Sequence, residues 1–231
     1  MKKNCRFVEN VIKKSKMKKG IIAFLWILII FFSYKIYDSI NGPIVFNEVK
    51  NERYTEVINR LKIIRKAQIA HKDVRGVFSN NFDSLIKFVD EGIFTLIEKR
   101  DSSYLEYDRI YRIDMLREVV VIDTLGTVNV KDSLFKESEE YKKMAFIPVK
   151  GVEDSVFKIK SMIIDKNGYK VPVFEVKVAK NIVLFDQNKD LLKQENETIS
   201  VDGVNGPDII LGSLSNVSTN GNWPTIFDAT N

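Results

Sequence analysis

Cysteine and histidine are almost missing from this chain: among 231 residues there is one of each, Cys5 and His71. A single cysteine excludes an internal disulfide framework, a C-x-x-C redox pair and a thiolate zinc site. A single histidine leaves little for metal binding or imidazole acid–base chemistry. Glycine (11) and proline (5) are too sparse for a collagenous or low-complexity chain. There is no Walker-type lysine loop, no G-x-G-x-x-G and no G-x-S-x-G elbow, so nucleotide hydrolysis and serine-hydrolase chemistry lack their usual frame. No internal repeat is visible. No catalytic, cofactor-binding or metal-ligating set emerges, and the chain reads as a non-enzyme.

What is present is a chain with 45% apolar and 29% charged residues, enough to build a packed core. The net charge of +5 is concentrated at one end. Residues 1–19 hold eight cations (Lys2, Lys3, Arg6, Lys13, Lys14, Lys16, Lys18, Lys19) against Glu9, a net of +7. The rest carries 28 cations against 30 acids, a net of −2. A nucleic-acid protein would spread its basic residues over a folded face with aromatic partners, so nucleic acid is not expected as a partner.

The basic arm runs into 15 uncharged residues, 20–34, that are apolar on every helical face. Read as 20–37, the helix is about 27 Å long, close to the hydrocarbon thickness of a bilayer. Lys35 lies near one end, within snorkelling reach of the interface, and Tyr34 and Tyr37 suit the aromatic belt. The cations before the span place the N-terminus in the cytoplasm and residues 38–231 across the membrane. The run is longer than a usual signal-peptide core and no small-x-small cleavage site follows it, which favours an uncleaved anchor. The expected organisation is a basic arm (1–19), a transmembrane helix (20–37), a linker (38–46) and a periplasmic domain (47–231).

Asn41-Gly42-Pro43 reads as a break after the anchor. An amphipathic helix is expected over 47–74, with Tyr54, Val57, Leu61, Ile64, Gln68 and His71 on one stripe and Gly76 as its stop. A second helix over 82–91, capped by Ser79 or Asn80 and ended by Gly92, would pack on the first as a helical hairpin. The period then shortens. Strands are expected at 119–123, at 157–164 and 170–178 around the turn Asp165-Lys-Asn-Gly168, and at 182–185. Residues 101–117 read as neither helix nor strand, and 186–231 as loops and short pieces with a surface-wrapping or fraying tail. The fold class is α+β: transmembrane helix, amphipathic helical hairpin, then a small antiparallel sheet.

Three places invite chemistry. His71, one turn after Gln68 on the apolar stripe, reads as a hydrogen-bonded packing residue. Asp186-x-Asn188-x-Asp190 with Glu197 at the twelfth place imitates a calcium loop, but Leu191 replaces the glycine its turn needs, and Lys189 and Lys193 add the wrong charge. Asp202-Gly-Val-Asn-Gly-Pro-Asp208 is turn chemistry with two carboxylates. The sequons at Asn196 and Asn216 are short patterns with a high chance rate, and Cys5 precedes the apolar span, so it is no lipobox cysteine.

Two resemblances follow from these segments. Lys18-Lys19-Gly20 before Ile21-Ile22-Ala23-Phe24 resembles the leader of type IV pilins and type II secretion pseudopilins, and Arg60-Leu-Lys-Ile-Ile-Arg-Lys-Ala-Gln68 followed by Gly76 and Phe82-Asp-Ser-Leu85 is similar to the end of a pseudopilin helix. Leu25 stands where that family has a glutamate. More of the chain resembles an uncharacterised family of single-pass envelope proteins of Bacteroidota-type bacteria. The matching segments are Pro43-Ile-Val-Phe46, Arg60 to Gln68, Phe82 to Val89, Val171-Pro-Val-Phe-Glu175, Leu211-Gly-Ser213 and Asn220-Gly-Asn-Trp223. These resemblances imply a pilin-like architecture at the inner membrane and no catalytic residue.

The function expected from this reading is a membrane-anchored periplasmic component of an envelope assembly, such as a secretion or pilus-type apparatus. Its partners would be the lipid bilayer, other envelope proteins and further copies of itself. The contact residues would be Tyr54, Val57, Leu61, Ile64, Gln68 and His71, provided that the domain leaves that stripe uncovered. The alternative is an anchored ligand- or peptidoglycan-binding module using the sheet and the 202–208 loop.

Overall fold

The computed structural model describes residues 2–136 and 138–228, with side chains at residue 22 and from residue 24 onward. Cys5, the basic arm 1–19 and the Gly20–Ile21 junction lie outside the residues whose side chains are described. The chain divides into two units at Asn51/Glu52.

The first unit belongs to a helix, α1, that runs through Lys2–Arg75 without interruption. Residues 38–46, expected as a linker after a break at Asn41-Gly42-Pro43, are helical, and Pro43 sits inside α1. Proline removes one backbone donor and strains one carbonyl, yet the turns on both sides of Pro43 are helical. The described part, Phe24–Arg75, is long and apolar enough to cross a membrane, and its apolar stretch has no buried residue. Trp26, Ile27, Ile30, Tyr34 and Tyr37 all stand more than half exposed.

In the second unit α1 stops where glycine permits. Gly76 takes φ +77° and its N–H donates to the Lys72 carbonyl at 2.7 Å. Helix α2 spans Phe82–Glu91, as its periodicity requires, but its cap is Asn81, which accepts from the Asp83 N–H at 3.0 Å. Ser79, an expected cap, instead donates its hydroxyl to the Asn81 carbonyl. The two helices meet where the His71 ring stands edge-on to Phe88, 4.9 Å between centroids.

Strands β1 (Ile93–Asp108) and β2 (Ile113–Asn129) form a long antiparallel hairpin of their own. Its turn is held by Asp108, whose Oδ1 accepts from the N–H groups of Ile110 and Tyr111. A short helix α3 (Val130–Leu134) follows. The second sheet has the order β3-β4-β5, all antiparallel: Lys158–Lys166, Tyr169–Ala179 and Asp208–Gly212. Asn167 (φ +56°) and Gly168 (φ +82°) make the expected tight turn between β3 and β4. Central β4 buries Val173, Phe174, Val176 and Val178, and Phe78 packs on Phe174 at 4.5 Å.

Between β4 and β5 the structure departs from the sequence reading. Residues 182–185 are not a strand: helix α4 covers Lys180–Val183 and the chain turns after it. Helix α5 (Lys189–Asn196) and strand β5 occupy a region expected to be loops. The tail continues the sheet, with Gly221 bridged to Leu211 and Trp223 buried.

Candidate functional site

The six stripe residues are each nearly or wholly buried inside the second unit: Tyr54 at 2% exposure, Val57, Leu61, Ile64 and Gln68 at 0%, and His71 at 4%. The condition for a partner surface, an uncovered stripe, is not met. These residues build the domain's own core. Gln68 clasps the backbone of Ser79, donating to its carbonyl at 2.8 Å and accepting from its N–H at 2.9 Å. His71 Nδ1 lies 2.6 Å from the Val77 carbonyl, which can only accept, so this nitrogen carries the proton. Both side chains fasten the 76–81 loop to α1.

Tyr54 belongs to a buried polar cluster that the sequence reading did not contain. Lys180, fully buried, donates from Nζ to the Glu195 carbonyl (2.7 Å), to Glu195 Oε1 (3.0 Å) and to the Val204 carbonyl (2.8 Å). Tyr54 donates its hydroxyl to the same Oε1 at 3.3 Å. Burial, then the Glu195 charge and hydrogen bond, hold the Tyr54 phenol far above its ordinary pKa. Nearby, Arg53 forks onto Asp186 at 2.6 and 2.8 Å and also reaches the Val183 carbonyl. That bond holds the Asp186 carboxyl well below the usual carboxylate range. Helices α1, α4 and α5 and the loop at Val204 are thereby tied together within the core.

The calcium-like segment has other duties. Asp186 is paired with Arg53, and Asn188 caps α5 by accepting from the Asp190 and Leu191 N–H groups. In the 202–208 loop, Asn205 accepts from the Ser200 N–H, and Asn222 donates to the Asn205 and Asp208 carbonyls. Among the described residues no three His, Cys, Asp or Glu side chains are grouped to hold a metal ion.

Among the open clefts of the second unit, two bring polar side chains together. One, of about 420 Å³, is lined by His71, Arg75, Ser79, Ser84, Ser161 and Pro172. There the His71 Nδ1 and the Ser79 hydroxyl are already engaged with backbone carbonyls. The other, of about 770 Å³, collects Lys62, Arg65 and Lys66 opposite Glu140 and Asp228. Lys62 donates to the Phe227 carbonyl, and Arg65 lies over the Trp223 ring at 5.4 Å.

A run of exposed apolar side chains in the second unit lies on the β1–β2 arm. No residue from 95 to 127 is buried. Leu105, Leu116, Val120, Ile122, Leu125, Ile110 and Tyr111 are all more than half exposed. A lone two-stranded hairpin is at best marginally stable in water, and unpaired strand edges invite further strands. Comparison with protein-family models, with curated proteins and with solved structures gives no match.

Proposed function

We propose that this protein is a non-enzymatic, single-pass component of an envelope assembly, anchored in the bacterial inner membrane with its α+β domain in the periplasm. The observation that carries the reading is α1. One helix supplies both an apolar stretch with nothing buried and, after residue 52, the fully buried stripe that organises the domain. Soluble helices of this length bury an apolar face; a stretch apolar on all sides with no buried residue among those described fits lipid. The eight cations of the first 19 residues would hold that end in the cytoplasm. A pilin- or pseudopilin-like role in a secretion or pilus-type apparatus is the most concrete form of the proposal. It is supported by the order of parts, an apolar helix running into a domain that closes with antiparallel strands. The ligand-binding alternative has less behind it, because the Asn205 side chain and the Asn205 and Asp208 carbonyls of the 202–208 loop are engaged within the fold.

Intact mass and N-terminal sequencing of the membrane-extracted protein test this. A chain beginning at Met1 supports a plain anchor, and one beginning at Ile21 supports pilin-type processing. A chain beginning beyond residue 37, recovered in the soluble fraction, overturns the anchored reading.

A further inference from the structure

We propose that the β1–β2 arm is a homodimerisation element: β2 pairs edge to edge with β2 of a second copy, antiparallel, about a two-fold axis at Val120. The two edges of the arm are not alike. At mid-arm the β1 edge carries four consecutive charged residues, Glu98-Lys99-Arg100-Asp101, a stretch that repels further strands, after the uncharged run 93–97. The β2 edge carries Val119-Val120-Val121-Ile122, four uncharged β-branched residues that favour strand addition.

Symmetry then selects the register. A two-fold axis between identical antiparallel strands must place one residue opposite its own copy, and every other contact occurs twice. Four centres fall in the apolar run. With the axis at Val119, Asp123 faces Met115; at Val121 it faces Val119; at Ile122 it faces Val121. Only with Val120 at the axis do opposite charges meet, Arg117 of each copy facing Asp123 of the other. Val119 then faces Val121, Glu118 faces Ile122, and no like charges are opposed.

The intrachain ion pairs extend this pattern. Arg117 is paired with Glu106 across the hairpin, and Asp123 with Arg100. In the four-stranded sheet of two arms, each Arg117–Asp123 contact between copies has the intrachain partners of both residues set diagonally beside it, Glu106 by Arg117 and Arg100 by Asp123, while Tyr104 and Glu98 stand directly across the hairpin. This is charge complementarity between copies of one chain, flanking the apolar 119–122 run of the β2 edge. The regularly spaced acids along the arm (Glu98, Asp101, Glu106, Asp108, Asp114, Glu118) do not suit insertion into lipid.

Single cysteines at 119, 120, 121 and 122, in full-length protein carrying Cys5→Ser and kept in its membranes, test the register by oxidation. Val120→Cys is expected to give the strongest disulfide homodimer. Leu105→Cys, on the outer strand, is expected to give none. Differently tagged Arg117→Cys and Asp123→Cys chains are expected to cross-link when co-expressed and not when expressed alone. Thermal melts confirm folding of each variant. A maximum at another position, no homodimer from any position, or capture of a different protein by Val120→Cys would each overturn the proposal.

Discussion

Lys180 and Glu195 form an ion pair at 3.0 Å in which the ammonium has no exposed surface and the carboxylate side chain is 9% exposed. Fifteen residues separate them along the chain. Their bond closes the segment between β4 and β5 onto α1, because Tyr54 donates to the same carboxylate oxygen.

Removing one partner leaves the other charged and buried. Lys180→Met is expected to destabilise the second unit by about 3–5 kcal/mol, the usual cost of removing one member of a buried ion pair. Lys180→Met combined with Glu195→Leu should recover much of that loss. Urea denaturation of the detergent-solubilised chain checks both, and equal losses in the single and double variants would deny the coupling.

Two tyrosines set an alkaline limit. Burial and Glu195 raise the Tyr54 pKa, while burial and the hydrogen bond to Asp90 push Tyr141 up to about 12. Both folded values exceed the unfolded one, near 10. Their contribution is therefore complete below pH 10 and is lost as pH rises through the folded values. Stability measured from pH 8 to 11.5 should fall above pH 10, and the fall should be shallower in Tyr141→Phe.

The Arg53–Asp186 fork acts at the other end of the scale. The folded pKa of Asp186 lies below its unfolded value, near 4, so its contribution is present above pH 4 and is lost as pH drops toward the folded value. Asp186 is nearly half exposed, so solvent screening keeps the pair to about 0.5–1 kcal/mol. Asp186→Asn should remove that amount at pH 6 and a smaller amount at pH 2, as read by urea midpoints.

The buried stripe of α1 answers to size as well as polarity. Leu61→Ala and Ile64→Ala are each expected to cost about 2–5 kcal/mol. Leu61→Asp is expected to unfold the second unit, seen as lost near-UV circular dichroism. A folded Leu61→Asp protein with altered complex size would instead return the stripe to the status of a partner surface.

Local signals were legible in the sequence. Gly76, Gly92 and Asp165-Lys-Asn-Gly168 end or reverse elements where their chemistry says, and α2 follows its period. The α+β class followed from these. Residues 182–185 misled because β-branched side chains favour strands, whereas the anchor there is Lys180, held by a carboxylate 15 residues away that no local pattern shows. Strand β5 was too short to stand out, although Ile209 and Leu211 alternate inward. Of the β1–β2 arm only 119–123, inside β2, was legible as strand, because neither face of the arm is buried and no two-residue period was imposed on 101–117. Pro43 reads as a stop by local rules, yet α1 continues through it. The stripe at 54–71 was legible as apolar, but periodicity cannot say whether a domain or a partner covers it.

The most direct test of the anchored reading is side-specific labelling. Spheroplasts with intact inner membranes would receive a membrane-impermeant maleimide, with Cys5 as the N-terminal probe and Tyr169→Cys, in a Cys5→Ser chain, as the domain probe; Tyr169 is 76% exposed at the β3–β4 turn. The account predicts that Tyr169→Cys labels from outside and that Cys5 labels only after permeabilisation. Labelling of Cys5 from outside, or protection of both positions until the membrane is opened, would contradict it.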